Sequence, residues 1–285
     1  MEQRFIDLFD EFTHGGMDRR DFMARLASAA GGMSAAFALL PRLENDYRKT
    51  AVVASDDERV QSAHVTYPGA SGDVRAYLAT PSAAGRHPAV IVIHENRGLN
   101  PHIEDVARRA AVAGFWALAP DALSPEGGTP DDTDEARARM SRLDPETTAR
   151  DFVAAVSFAD AHEATTGKAG CVGFCWGGAM ANQLAVRAPA LDAAVAFYGR
   201  QPAAADVPKI RAALLLHYAG LDERINAGIA EYEAALTAAG VRYELHMYEG
   251  VNHAFHNDTS PTRYNEAAAT LAWERTVAFF RRELA

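Results

Sequence analysis

The chain has 285 residues, 48% of them hydrophobic, which is enough for one large α/β domain and too few for two. Its formal charge of -10 and pI near 5.5 supply no basic footprint for nucleic acid or an anionic membrane surface, so a small-molecule partner is expected and a nucleic-acid partner is not. Only two cysteines occur, Cys171 and Cys175, too far apart along a strand (roughly 13 Å) for a bridge that reaches about 7 Å. With no C-x-x-C pair and no H-E-x-x-H helix, no metal site and no cofactor is expected.

Phe5, Leu8, Phe9 and Phe12 follow i, i+3, i+4, i+7 and predict one apolar face of a short helix. Arg19-Arg20-Asp21-Phe22-Met23 comes next, then an uncharged run from Leu26 to Pro41 rich in Ala and Gly. In its order of parts this resembles a twin-arginine export signal, which would make the mature protein periplasmic. The run is shorter than the ~20 apolar residues of a membrane span, so no stable span is expected. Acidic residues Glu2, Asp7, Asp10, Glu11 and Asp18 ahead of the pair speak against export, as does the lack of one clear Ala-x-Ala cleavage site. The other reading is a helical arm packed on the body of a cytoplasmic protein, and an arm of this kind could also join copies into a homo-oligomer. Residues 1-55 are therefore set apart from a domain over residues 56-285.

From about Val60, β-rich runs alternate with helical ones, the pattern of a mostly parallel sheet flanked by helices. Eight strands are predicted: Gln61 to Thr66, Val74 to Thr80, Ala89 to His94, Phe115 to Ala119, Lys168 to Val172, Ala193 to Tyr198, Ala213 to His217 and Tyr243 to Tyr248. Helices are predicted over Ile103 to Ala113, Pro145 to His162, Gly177 to Arg187, Asn226 to Ala239 and Arg263 to Arg282. Ser124 to Asp134, rich in Pro, Gly and Asp, reads as an exposed loop, either rimming a site or serving as a plain surface turn.

Gly173-Phe174-Cys175-Trp176-Gly177-Gly178 falls between a predicted strand and a predicted helix, a G-x-C-x-G nucleophile elbow with sulfur in place of a hydroxyl. Small residues two before and two after the nucleophile let the chain turn without clashing. The turn also leaves the backbone N-H of Trp176 at a helix N-terminus, where it can meet an oxyanion. A buried, inert cysteine beside a glycine-rich helix start is the plain alternative. Asp222 and His253 tip the balance, because each follows a predicted strand and the chain order nucleophile, acid, base is that of an α/β-hydrolase. Glu223 rivals Asp222, and His246 and His256 rival His253, but only His253 stands in a Gly-flanked loop at the proper edge.

From Val60 onward the chain resembles the dienelactone hydrolase family, whose mark is a cysteine elbow followed by Asp and then His. A second mark is Val90-Ile91-Val92-Ile93-His94-Glu95-Asn96-Arg97-Gly98. The resemblance implies an α/β-hydrolase fold, an eight-stranded sheet, and an ester or lactone as substrate. It also implies that Glu95 accepts the resting thiol's hydrogen bond and that Asn96 supplies the second oxyanion N-H. A carboxylate beside a thiol disfavours the thiolate, in accord with that role.

Arginine four residues after the catalytic histidine grips the substrate carboxylate in dienelactone-opening relatives, and here that place is Asn257. Arg97, Tyr198, Phe255 and Asn257 are the expected substrate contacts, with Arg137 or Arg139 as stand-ins for a missing cation. Neutral esters are thus expected to do at least as well as anionic lactones. Acyl transfer on the same scaffold, and a non-catalytic thiol-redox or binding role for Cys175, are the alternatives to hydrolysis.

Overall fold

The computed structural model describes residues 1–285. All eight predicted strands are present: β1 (Val60–Gly69), β2 (Gly72–Pro81), β3 (His87–Ile93), β4 (Trp116–Pro120), β5 (Thr165–Phe174), β6 (Ala193–Phe197), β7 (Ala213–Ala219) and β8 (Tyr243–Tyr248). They form one sheet in the order β1-β2-β4-β3-β5-β6-β7-β8. The β1-β2 and β2-β4 pairs are antiparallel, and every pair from β4 onward is parallel. β3, β4, β6 and β7 are apolar almost throughout because helices cover both faces of the sheet.

Alternate residues of β3 serve opposite cores. Ile91 and Ile93 pack with Phe152 and Val156 of α6 (Pro145–Ala161) and Leu184 of α7 (Trp176–Arg187). Val90 and Val92 pack with Ile103 and Val106 of α4 (Pro101–Val112) and with Phe279 and Phe280 of α10 (Glu266–Glu283). Between β4 and α6 lies α5 (Thr133–Met140). The chain segment Ser124 to Asp134 turns back on the body, where the hydroxyl of Thr129 accepts the Leu99 N-H and donates to Asp121.

Two of the predicted helices differ by a break or by more than two residues at an end. The helix expected from Asn226 is split into α8 (Glu223–Asn226) and α9 (Ile229–Ala239). The side-chain amide of Gln201 donates to the Ile225 carbonyl at 3.1 Å, taking it from the helical ladder. A Cβ on Gly228 would lie 2.5 Å from the tip of the same Gln201 side chain, which would have to move aside. At the last helix, Asn265 accepts from Ala268 N at 3.0 Å and caps it, leaving Arg263 outside.

The first 43 residues make α1 (Gln3–His14), α2 (Arg19–Ala30) and α3 (Met33–Leu43). Phe5, Phe9 and Phe12 are buried as the periodicity predicts and Leu8 is half-buried, while Ile6, outside that pattern, is buried too. They join Phe22, Leu26, Leu40 and Leu43 in a small core separate from the two cores of the sheet. The chain reverses at Gly31 and Gly32, both at positive φ, and α2 and α3 meet at 111°. No single helix is long and apolar enough to cross a membrane. Arg19, first of the arginine pair, contacts Asp134 at 2.5 Å and Glu44 at 3.1 Å.

Candidate active site

Cys175 sits at the tip of the turn from β5 into α7 with φ 58° and ψ -112°, a strained conformation for a non-glycine residue. Its backbone N-H donates to the Phe197 carbonyl at 3.0 Å, which holds the turn against β6. A Cβ on Gly173 would lie 1.9 Å from the Gly177 carbonyl oxygen, and one on Gly177 would lie 2.4 Å from that of Ile93. The flanking glycines are therefore imposed by backbone contact, as the elbow motif requires.

Asp222 follows β7 and His253 follows β8, and both are buried. His253 Nδ1-H donates to Asp222 Oδ2 at 2.5 Å, which fixes the imidazole's orientation. Its Nε2 is buried without a hydrogen-bond partner, and a ring nitrogen of His253 lies within 4.8 Å of the Cys175 sulfur. Burial opposes protonation of His253, but the charge of Cys175 and the bond to Asp222 outweigh it and push its pKa up to about 9. The rivals are elsewhere: His256 stacks on Phe174, His246 lies beside Glu244, and Glu223 opens α8.

A cavity of about 540 Å³ opens over the sulfur, lined on the body side by Cys175, Trp176, Asn96, Tyr198 and His253. Trp176 stacks on His94 with ring centroids 5.3 Å apart, and His94 Nε2 accepts the Ala122 N-H. Tyr198 lies 4.8 Å from the His253 ring, and its hydroxyl is buried without a partner. Among the expected substrate contacts, Tyr198 lines the cavity, whereas Arg97, Phe255 and Asn257 are buried residues outside its wall.

Glu95 is placed differently from the expectation. Its Oε2 accepts from Asn257 Nδ2 at 2.8 Å, and Asn257 Oδ1 in turn accepts from Thr259. Asn257 thus ties the oxyanion loop to the histidine loop from behind. The sulfur's polar neighbour is instead His14 of α1, whose Nε2 lies 3.1 Å from Sγ. His14 Nδ1 faces Asp10 Oδ1 at 3.0 Å, and the two histidine rings meet edge to face at 4.6 Å. Thr13 to Asp18 line the outer wall of the cavity, and Asn96 Nδ2 donates to the Thr13 carbonyl at 2.8 Å. Sequence reasoning missed His14. The available signal was the Asp10/His14 spacing of four on the polar side of an apolar-faced helix.

This fold, with its cysteine elbow and an aspartate-held histidine at the next strand ends, is that of an α/β-hydrolase with a sulfur nucleophile. Comparison with known sequences narrows it: the profile described as "Dienelactone hydrolase family" matches residues 74–284, and one described as "YqhI-like" matches residues 1–31. A protein of Methylorubrum extorquens named "Putative carboxymethylenebutenolidase" is 33% identical over 80% of this chain and 84% of its own length. A Bradyrhizobium protein named "Probable 2-oxo-3-(5-oxofuran-2-ylidene)propanoate lactonase" is 36% identical over 75% of this chain and 91% of its own. Among solved structures, a Klebsiella pneumoniae chain named "Putative Dienelactone Hydrolase" superposes with a TM-score of 0.71 at 28% identity, over 78% of this chain and 99% of that one. The chain belongs to the dienelactone hydrolase family, and it is a carboxylic ester or lactone hydrolase that works through Cys175, His253 and Asp222.

Proposed function

We propose that the enzyme hydrolyses small esters or lactones by a thioester route in which the arm forms one wall of the working site. The observation that carries this is the convergence of the strained Cys175 elbow and the Asp222-held His253 on one cavity. His253 Nε2 takes the thiol proton as Sγ attacks the substrate carbonyl carbon, and the oxyanion is held by the backbone N-H groups of Asn96 and Trp176, both in the cavity wall. The ester C-O bond then breaks, and His253 gives its proton to the departing oxygen. In the second half His253 takes a proton from water as it attacks the thioester, and the C-S bond breaks to release the acid while His253 returns that proton to the sulfur.

Substrate charge is read from the arginines at the wall. Arg137 donates to the Phe12 carbonyl and Arg224 lies 3.7 Å from Asp10, so both are engaged. Arg200 lines the cavity from an exposed position. One guanidinium at a wet rim contributes little to anion binding, about 0 to 1 kcal/mol for an exposed pair. Neutral esters are thus processed at least as well as carboxylate-bearing lactones. We further propose that residues 1-55 stay attached as a structural arm on the hydrolase domain of residues 56-285, because Arg19 is engaged by Asp134 and Glu44 and His14 faces the sulfur.

The test is a panel of small esters and lactones, each as free acid and methyl ester, with wild type and Cys175→Ala. Wild type is expected to turn over the neutral members at least as fast as their acids. Cys175→Ala is expected to lose on the order of 10⁶ in kcat, as loss of the nucleophile does in serine triads. Near-wild-type turnover by Cys175→Ala overturns the mechanism. A strong preference for free acids that disappears in Arg200→Ala overturns the charge reading.

A further inference from the structure

Three lone-pair donors converge where hydrolysis needs only two. The Cys175 sulfur and one ring nitrogen each from His14 and His253 all lie within 4.8 Å of one another, with the His14 Nε2 to Sγ edge at 3.1 Å. Ligands around a tetrahedral zinc bound at 2.0 to 2.3 Å are separated by about 3.3 to 3.6 Å, so side-chain shifts of about an ångström suffice. Both imidazoles are held from behind at Nδ1: that of His14 hydrogen-bonds the Asp10 main-chain carbonyl at 3.1 Å with Asp10 Oδ1 3.0 Å away, and that of His253 donates to Asp222 Oδ2 at 2.5 Å. Such a partner fixes ring orientation and leaves Nε2 as the free donor, the arrangement that supports histidine ligands of zinc. His253 Nε2 is buried and makes no hydrogen bond.

We infer that His14, Cys175 and His253 form a binding site for a zinc-class divalent cation, closed by the N-terminal arm over the catalytic sulfur. One thiolate and two imidazoles select a borderline-soft cation over Mg²⁺ or Ca²⁺, which require oxygen ligands. The carboxylates of Asp10 and Asp222 lie just outside the ligands and offset the remaining charge. Three protein ligands leave a fourth position, and it faces the cavity of about 540 Å³, where water or a substrate carboxylate fits. No spacing along the chain announces the set, since His14 and Cys175 are 161 residues apart.

Occupancy has two consequences. The sulfur lone pair is coordinated, so the cation-bound form does not attack esters. The cation also bridges arm and body, so binding stabilises the docked arm by mass action. The first consequence rests on Cys175 being the nucleophile, while the site itself stands on geometry alone.

The experiment uses the full chain, stripped with chelator and titrated with Zn²⁺ and with Co²⁺ as a spectroscopic probe. One equivalent is expected to bind, and the Co²⁺ form is expected to show a thiolate-to-metal charge-transfer band and tetrahedral visible bands. Zn²⁺ is expected to suppress ester turnover, with chelator restoring it. Asp10→Asn is expected to weaken Zn²⁺ binding by roughly 10- to 100-fold, and His14→Ala by at least as much. If the wild-type Co²⁺ spectrum lacks the charge-transfer band, or if His14→Ala and Asp10→Asn bind Zn²⁺ as tightly as wild type, the three-ligand site does not exist. Turnover of the metal-free enzyme is measured in the same samples. An active enzyme that binds no zinc therefore refutes this site and leaves the hydrolase mechanism intact.

Discussion

Arm and body are held by different physics. The body has two extensive cores on either side of a sheet, whereas the arm has one small core of its own, built on Phe9, Phe12 and Phe22 with ring centroids 4.4 to 6.1 Å apart. Between them the contacts are polar: Gln3 to Asn252 at 2.5 Å, Asn96 to the Thr13 carbonyl, Arg19 to Asp134 and His14 to Cys175. Arginines of the body lie on the arm's aromatic rings, Arg137 over Phe12 at 4.0 Å and Arg263 over Phe9 at 5.0 Å. The exposed Arg19–Asp134 pair is worth about 0 to 1 kcal/mol, whereas Arg263 and Phe9 are buried where they meet, so the arm is a docked unit with a partly buried seam. Catalytic power therefore belongs to the body, and access to the sulfur belongs to the arm.

Asp222→Asn gives the largest separation of the two. It keeps the shape of the side chain and loses the charge that orients His253, so kcat is expected to fall by up to roughly 10⁴-fold, as for the orienting carboxylate of serine triads. Hydrogen exchange over residues 3–43 is expected to match wild type. Increased exchange in the arm would show that the triad and the arm are one cooperative unit.

Phe22→Ala works from the other side. Phe22 is fully buried between Phe9 and Phe12, so truncation is expected to cost the arm's core about 3 to 5 kcal/mol. Exchange in α1 and α2 should rise by several hundredfold or more while exchange in β3 and β5 stays as in wild type. Equal loss of protection in the central strands would refute the independence of the two regions.

The same division explains what could be read from sequence. Strands such as Val90 to Ile93 and Ala213 to His217 were legible because buried parallel strands require continuous apolar runs bounded by turn residues. The triad was legible because an elbow needs glycines at fixed offsets and the fold fixes the order of its partners. What escaped depends on contacts between distant segments. The break at Ala227 and Gly228 comes from Gln201, the partner of Glu95 is Asn257, and His14 reaches the sulfur only through the docking of α1. The arm's uncharged stretch was ambiguous for a related reason. Small residues in α2 and α3 suit a three-helix packing as well as an export signal.

The smallest expected effect tests how the body holds its histidine loop. Asp258 lies beyond His253, and its carboxylate meets His102 Nδ1 at 3.1 Å and Arg109 Nη2 at 2.6 Å, both on α4. Burial would raise its pKa, but the close approach of His102 and the charge of Arg109 outweigh that and hold it well below the usual carboxylate range. A carboxyl whose folded pKa is depressed stabilises the fold above its unfolded value, about 3.9, and that contribution is lost as the pH falls below it. Denaturant midpoints at pH 7, 4.5 and 2.5 are expected to show Asp258→Asn less stable than wild type at pH 7 and 4.5, with the gap closing at pH 2.5. The arm meets Asp258 only through Lys49 Nζ, which donates to its main-chain carbonyl at 2.8 Å and keeps that partner in the asparagine variant, so protection of α1 at pH 7 should be unchanged. A gap at pH 2.5 as wide as at pH 4.5 would mean that the asparagine perturbs packing and not charge, and the ion pairs to α4 would then not be what anchors the loop.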